Sequence, residues 1–191
     1  MLKKHGITAS TPSNILLGAG TYYRGLQYTT ADGWTGTILG ATSGGGKVSI
    51  KHELKDLEID GALVKFKGQT IKQGGTATME VSFAEVTEEL LGIATFFENS
   101  GADGDHDYYL DKARIEEGDY IQNLGFVGEK ADGSGTIMVI FDYALCTSGL
   151  EIEAKGKEQS VIKLTFEAVS DPTQALHDRG NLDILPVTIY M

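Results

Sequence analysis

Cysteine is almost missing from this chain: Cys146 is the sole one in 191 residues. A lone cysteine excludes an internal disulfide framework and a cysteine-built metal cluster. Proline is scarce, at three residues, so neither a proline-rich linker nor a collagen-type repeat fits, although glycine reaches 25. Long apolar runs are missing too. The longest, Ile137–Phe141, has five residues, against the ~20 that a membrane-spanning helix needs. The opening Met1-Leu-Lys-Lys-His-Gly is basic but has no apolar segment behind it, so no secretory signal is expected. Basic residues are few, 16 Lys and Arg against 27 Asp and Glu, for a net charge of −11. Such a chain lacks the basic patch or stripe with which proteins grip duplex DNA.

The hydrophobic fraction of 41% suffices for one real core, and the length is that of one domain. We therefore expect a single domain over residues 1–191, with 1–13 (polar, small, Pro12 near its end) as a flexible arm. The charge is uneven. Residues 1–83 hold nine basic and six acidic residues, a net of +3. Residues 84–142 hold three and 14, a net of −11, and residues 143–191 four and seven, a net of −3. The acidic middle is either a solvated helix and loop or a face that meets a basic partner. The first 83 residues of another copy are a candidate for that partner.

Hydrophobic periodicity points to a β-rich chain. Thr21–Tyr28 is aromatic and β-prone, and Ala31-Asp32-Gly33 signals a turn. Gly40–Gly46 is too rich in glycine for an ordered strand to be expected. Lys47–Asp60 alternates, with Val48, Ile50 and Leu54 on one face. The phase then slips to Leu57 and Ile59, which suggests a β-bulge near Lys55-Asp56. A strand that long must project past a compact core. Leu63–Gln69 reads as a strand and Gln73-Gly74-Gly75 as a turn. Thr76–Glu85 alternates cleanly, with Ala77, Met79, Val81 and Phe83 inward. The period then changes: Val86, Leu90, Ile93, Ala94 and Phe97 share a helical face over about 86–98, with Thr87 as N-cap and Glu88 and Glu89 in the first turn. Tyr108–Ile115, Tyr120–Glu129, Thr136–Asp142, Ser160–Val169 and Pro186–Tyr190 read as further strands. Ala131–Gly135 reads as a hairpin connection, and Asp171-Pro172 as the start of a short helical turn to about Leu176. Thr136–Asp142 is apolar on both faces, so both should be covered. The expected fold is mainly β, a sandwich or barrel-like domain with one flanking helix.

Several chemical motifs come close and fail. Gly18-Ala-Gly20 lacks the third glycine of a dinucleotide loop and precedes no helix. Ala41–Val48 nears a phosphate loop at Gly46-Lys47, but it starts on Ala41, and Val48 cannot hold Mg²⁺ as Ser or Thr would. Asp103, Asp105 and Asp107 stand at the i, i+2, i+4 spacing that can converge on Ca²⁺. The sharp-turn glycine is replaced by Tyr108, however, and the bidentate Glu by Arg114. His5, His52, His106 and His177 form no two-His metal motif. Cys146 has no adjacent base and reads as a buried thiol. We expect no enzyme and no cofactor.

Five short stretches carry a resemblance. They are Asn14-Ile-Leu-Leu-Gly-Ala-Gly-Thr21, Leu39-Gly-Ala-Thr-Ser-Gly-Gly45, Leu57-Glu-Ile-Asp-Gly-Ala62 with Val64-Lys-Phe-Lys-Gly68, Ala77-Thr-Met-Glu-Val81, and Leu145-Cys-Thr-Ser-Gly149. In this order, over roughly residues 14–170, the chain resembles the major tail (tail tube) proteins of long-tailed bacteriophages. These are related to phage-like bacteriocin and type VI secretion tubes. The resemblance implies a β-sandwich whose long hairpins complete a ring barrel. It implies sixfold rings stacked into a hollow tube that conducts the genome, in a virion tail assembled in the host cytoplasm. Implied partners are further copies of the chain, tape-measure and tail-terminator or baseplate proteins, and DNA in transient passage, with no membrane anchor.

In such a tube the polar faces of inner strands line the bore. The candidates are Ser49, Lys51 and Glu53 with Thr78, Glu80 and Ser82, then Lys163, Thr165 and Glu167. Gly40, Gly44, Gly45 and Gly46 are candidates for ring-to-ring contact. The stretch 47–83 holds six Lys and five acidic residues. The acidity, centred on Glu88, Glu89 and Asp103–Asp111, is therefore expected on an outer wall or at subunit contacts. The alternative function is a monomeric β-sandwich binding module, for carbohydrate or as a capsid decoration. There Trp34 and the pairs Tyr22-Tyr23 and Tyr108-Tyr109 would supply stacking surfaces.

Overall fold

Period-two alternation makes strands, and strands dominate the computed structural model, which describes residues 7–8, 11, 14–61, 63–152, 159–173 and 184–191. In chain order these are β1 (Leu16–Thr29), β2 (Gly33–Ile38), β3 (Thr42–Asp56), β4 (Thr70–Phe83), the helix α1 (Glu88–Thr95), β5 (Phe97–Asp103), β6 (His106–Asp111), β7 (Ile121–Lys130), β8 (Thr136–Cys146), β9 (Ile162–Val169) and β10 (Val187–Tyr190). One antiparallel sheet runs β2-β1-β7-β8-β9-β4-β3, with β10 also paired to β8, while β5 and β6 form a separate hairpin. The fold is mainly β with one flanking helix. Most of the expected arm, residues 1–6, 9–10 and 12–13, lies outside the described residues, as does the helical turn beyond Thr173.

The sheet curls until β1 comes against β3. The inward side chains form one core: Tyr22 from β1, Met79, Val81 and Phe83 from β4, Leu124 and Phe126 from β7, Val139 and Phe141 from β8, and Ile162, Leu164 and Phe166 from β9. Burying a side chain of this size contributes about 1.5–3 kcal/mol. Leu90 and Ala94 seat α1 on the same core. The Thr87 hydroxyl caps the helix by accepting from the Leu90 amide at 3.2 Å. β8 is apolar on both faces, as its sequence requires: Met138 and Ile140 join Leu26 in a second cluster on the far side. Leu26 reaches that side because β1 bulges between Arg24 and Gln27, where Gly25 takes a φ of 62°.

Six sequence expectations change. The helix stops at Phe96, whose left-handed φ of 57° ends it, so Phe97 begins β5 instead of extending the apolar helical face. The strand expected over Tyr108–Ile115 is β6, His106–Asp111. Gly40–Gly46 is largely in β3: the strand absorbs Gly44 and Gly45, at φ 82° and 79°, in the register shift between Thr42 and Gly46. Gln73-Gly74-Gly75 is no turn. It lies inside β4, paired to β3 through His52↔Gly75 and Glu53↔Gly74. No strand forms over Leu63–Gln69, which belongs to the loop joining β3 to β4. The slip expected near Lys55 is a register shift between Glu53 and Leu54, with the extra residue, Gln73, on β4.

Candidate assembly surfaces

Register decides which polar residues share a face. Residues directly opposite on paired strands point the same way. The pairs Lys47↔Glu80, Ser49↔Thr78 and Lys51↔Thr76 join β3 to β4. The pairs Thr78↔Glu167, Glu80↔Thr165 and Ser82↔Lys163 continue the face onto β9. The structure thus brings Ser49, Lys51, Glu53, Thr78, Glu80, Ser82, Lys163, Thr165 and Glu167 together on one three-stranded surface, turned away from the core. Its opposite side is the apolar set Val48↔Met79↔Phe166 and Gly46↔Val81↔Leu164. Lys47, Lys51 and Lys163 balance Glu53, Glu80 and Glu167. Lys47 Nζ lies 2.9 Å from Glu80 Oε1 with both side chains about half exposed, so this pair contributes at most ~1 kcal/mol. β3 ends the sheet path, and among the described residues no strand pairs with its outer edge. Such edges invite pairing with another chain unless they are covered.

Of the glycine candidates, Gly44 and Gly45 have open space where a Cβ would stand, whereas Gly40 and Gly46 are packed. A Cβ on Gly46 would enter the van der Waals envelope of the Tyr22 hydroxyl and sit 2.8 Å from the Glu80 carbonyl oxygen. One on Gly40 would meet Phe83, Leu90 and Glu85 at 3.4–3.5 Å. Gly46, at least, has a reason to be glycine inside its own subunit. Among the described residues, the Tyr22 hydroxyl is the buried side-chain polar group without a hydrogen-bond partner. Burial raises its pKa to about 12.

The acidic residues occupy other surfaces. Glu88 and Glu89 open α1, on the core side of β4 and so across the sheet from Thr78 and Glu80. Glu89 pairs with Arg24. Glu88 stands beside the Tyr109 hydroxyl and raises the tyrosine pKa. The Ca²⁺ candidate does not form. Asp103 pairs with His106 and Asp107 with Ala102 across the hairpin, so the pleat sends Asp103 and Asp107 to opposite faces, with Asp105 in the turn. Among the described residues no group of three His, Cys, Asp or Glu side chains can hold a metal ion. Cys146 is buried, as expected of an inert thiol, 3.6 Å from Ser148 Oγ.

Two further surfaces were legible in the sequence only in part, through the overlong Lys47–Asp60 strand and through Trp34. The first is an arm. Past Thr78 no described third strand pairs with β4, and the β3–β4 ribbon runs on into an exposed loop, described at residues 57–61 and 63–69. Asp56 clamps its base, accepting from Lys65 Nζ at 2.8 Å and Thr70 Oγ1 at 2.5 Å. These two bonds hold its carboxyl below the ordinary carboxylate range. Gln69 closes the loop by donating to the Leu57 carbonyl at 2.8 Å and accepting from the Phe66 amide at 3.2 Å. The second is an aromatic run over the outer cluster: Trp34 meets Tyr28 edge-on at 5.6 Å and Tyr190 at 4.8 Å. The groove beside it is lined by Gln27, Gln122, Asn123 and Asp142. Its signal in the sequence was Trp34 alone. Tyr190 comes from a strand more than 150 residues away, and no local pattern joins them.

No family model and no curated protein matches the chain. Among solved structures, a chain in the tail of an empty GTA particle, solved with C6 symmetry, is similar to it. The TM-score is 0.41, with 11% identity, over 80% of this chain and 92% of that one.

Proposed function

We propose that this chain is a structural protein that self-assembles into stacked rings, forming a tail tube that conducts a genome. The observation that carries the proposal is the charge-balanced polar face shared by β3, β4 and β9. It turns away from the core and, among the described residues, ends on β3, which has no second partner strand. Such a face suits a bore along which a polyanion must slide without being held. Ring closure by neighbouring copies would cover the edges. The sixfold number comes from the family resemblance of residues 14–170, and the proposed role involves no catalytic step. Electron microscopy of the purified chain at high concentration tests it: rings or tubes with an open channel are the expected result, and a strictly monomeric protein would count against it.

The Tyr28–Trp34–Tyr190 run supports a second reading, a saccharide-binding module. Edge-stacked aromatics beside amide and carboxylate groups offer sugar-stacking and hydrogen-bonding partners. A glycan array separates the two: binding abolished by Trp34→Ala would favour the module.

A further inference from the structure

The β3–β4 arm shows an unusual amount of apolar surface for a solvated hairpin. Leu63 is 98% exposed, Val64 79% and Leu54 66%, with Leu57, Phe66 and Ile71 also exposed. A two-stranded ribbon is marginal in water on its own, and contiguous exposed apolar patches mark interaction sites. The arm nevertheless has defined geometry, held by the Asp56 and Gln69 bonds described above. It is built to meet something.

Charge indicates the partner. On the ribbon each exposed apolar side chain stands opposite a lysine: Leu54↔Lys72 and Lys55↔Ile71. Between Asp60 and Glu80 the chain carries Lys65, Lys67 and Lys72 and no acidic residue. The β5–β6 hairpin has the reverse pattern. Its exposed apolar side chains stand opposite acids: Phe97↔Asp111 and Glu98↔Leu110. No Lys or Arg occurs from Gln73 to Asp111, a stretch with nine acidic residues counting Glu80. The hairpin face bearing Tyr108 and Leu110 points away from α1, because Tyr109, on the other face, lies beside Glu88 of that helix. Glu98 and Asp103 flank that free face.

We infer that the arm of one copy docks on the β5–β6 hairpin of a second copy, with Leu54, Leu63, Val64 and Phe66 against Tyr108 and Leu110 and with Lys67 and Lys72 against Glu98 and Asp103. The contact is heterologous: arm and hairpin are different surfaces, so each copy offers one of each and assembly continues from copy to copy. The inference rests on the self-assembly reading and names the surfaces that join the copies.

A charge swap in the full chain tests it. One variant carries Lys67→Glu and Lys72→Glu, the other Glu98→Lys and Asp103→Lys. All four positions are exposed and outside the Asp56 clamp, and circular dichroism checks that both variants fold. Sedimentation velocity in low salt should show self-association weakened about tenfold or more in each variant, because like charges now face each other. An equimolar mixture should restore association, since the arm of one then matches the hairpin of the other. Reversed variants that assemble like the parent, forming rings or tubes, overturn this contact and leave the tube reading standing. Weakened variants that the mixture does not rescue also overturn it, pointing to arm-to-arm or other contacts. A parent chain that stays monomeric at the highest concentration overturns both.

Discussion

At Gly46 and Tyr22 the fold leaves no slack. The Tyr22 ring is fully buried and packs 5.4 Å from Phe126 and 6.5 Å from Phe83, which places its hydroxyl over the backbone of β3 at Gly46. Gly46→Ala puts a methyl group against both that hydroxyl and a backbone carbonyl. It should destabilise by roughly 1–3 kcal/mol, the cost of overpacking, as measured by urea unfolding. Tyr22→Phe removes a buried donor that has no partner and should be neutral or stabilising. In that background Gly46→Ala should cost less, and equal costs in the two backgrounds would refute the contact. The same hydroxyl makes a signed pH prediction. Its folded pKa, about 12, lies above the ordinary 10.0. The stability from keeping Tyr22 neutral is therefore complete below pH 10 and lost as pH rises toward 12. Tyr22→Phe should remove that component, so the gap between variant and parent stability should widen across this window. Parallel alkaline losses in the two proteins would show that Tyr22 does not titrate in the fold.

Among the elements, those whose neighbours repeat their own alternation were legible. Thr76–Glu85 and Ser160–Val169 bury the residues their pattern points inward, and the doubly apolar Thr136–Asp142 lies between two apolar clusters. What the sequence obscured depends on long-range pairing. Gly74 and Gly75 break a strand locally, yet β3 pairs with them over its full length and overrides that preference. Leu63–Gln69 alternates like a strand but forms none, because its apolar residues face solvent at the tip of the arm. For the candidate site, the polar faces of β3, β4 and β9 could each be read alone. That they form one surface is a matter of register, which no single segment encodes. The arm itself makes an element-scale prediction through Asp56. Bonds from Lys65 and Thr70 lower its folded pKa, so its hold on the loop is complete above the ordinary carboxylate pKa of about 4 and lost as pH falls through the lowered value. Amide exchange at Leu57, which bonds the Gln69 carbonyl at 2.9 Å, should become less protected on acidification relative to the core of β4. In Asp56→Asn protection there should be weak at neutral pH already. Unchanged protection in that variant would mean that Gln69 alone holds the loop.

For the whole molecule, a net charge of −11 would suggest a surface that repels nucleic acid everywhere, but the fold sorts that charge by face. The acids of α1 and the β5–β6 hairpin lie away from the β3-β4-β9 surface, where three lysines cancel three glutamates. Lys47 and Glu80, opposite charges one strand apart at ~5 Å, lie well within the screening length of about 8 Å at physiological salt. A passing phosphate backbone would therefore meet neither a trap nor a barrier. If this face lines a bore, its neutrality is the functional property and can be changed without touching the core. Glu53→Lys with Glu167→Lys shifts the net charge of that face by +4 per copy and leaves the Lys47–Glu80 pair intact. Assembled particles of this variant should retain DNA, and retention should fall steeply with added salt, as counterion release requires. The parent particles should not retain it. Asp105→Lys with Glu117→Lys makes the same change in net charge outside the face and should leave retention at the parent level. If the second pair captured DNA as strongly as the first, net charge and not this face would govern passage. If neither did, the β3-β4-β9 surface would not be the wall that DNA meets.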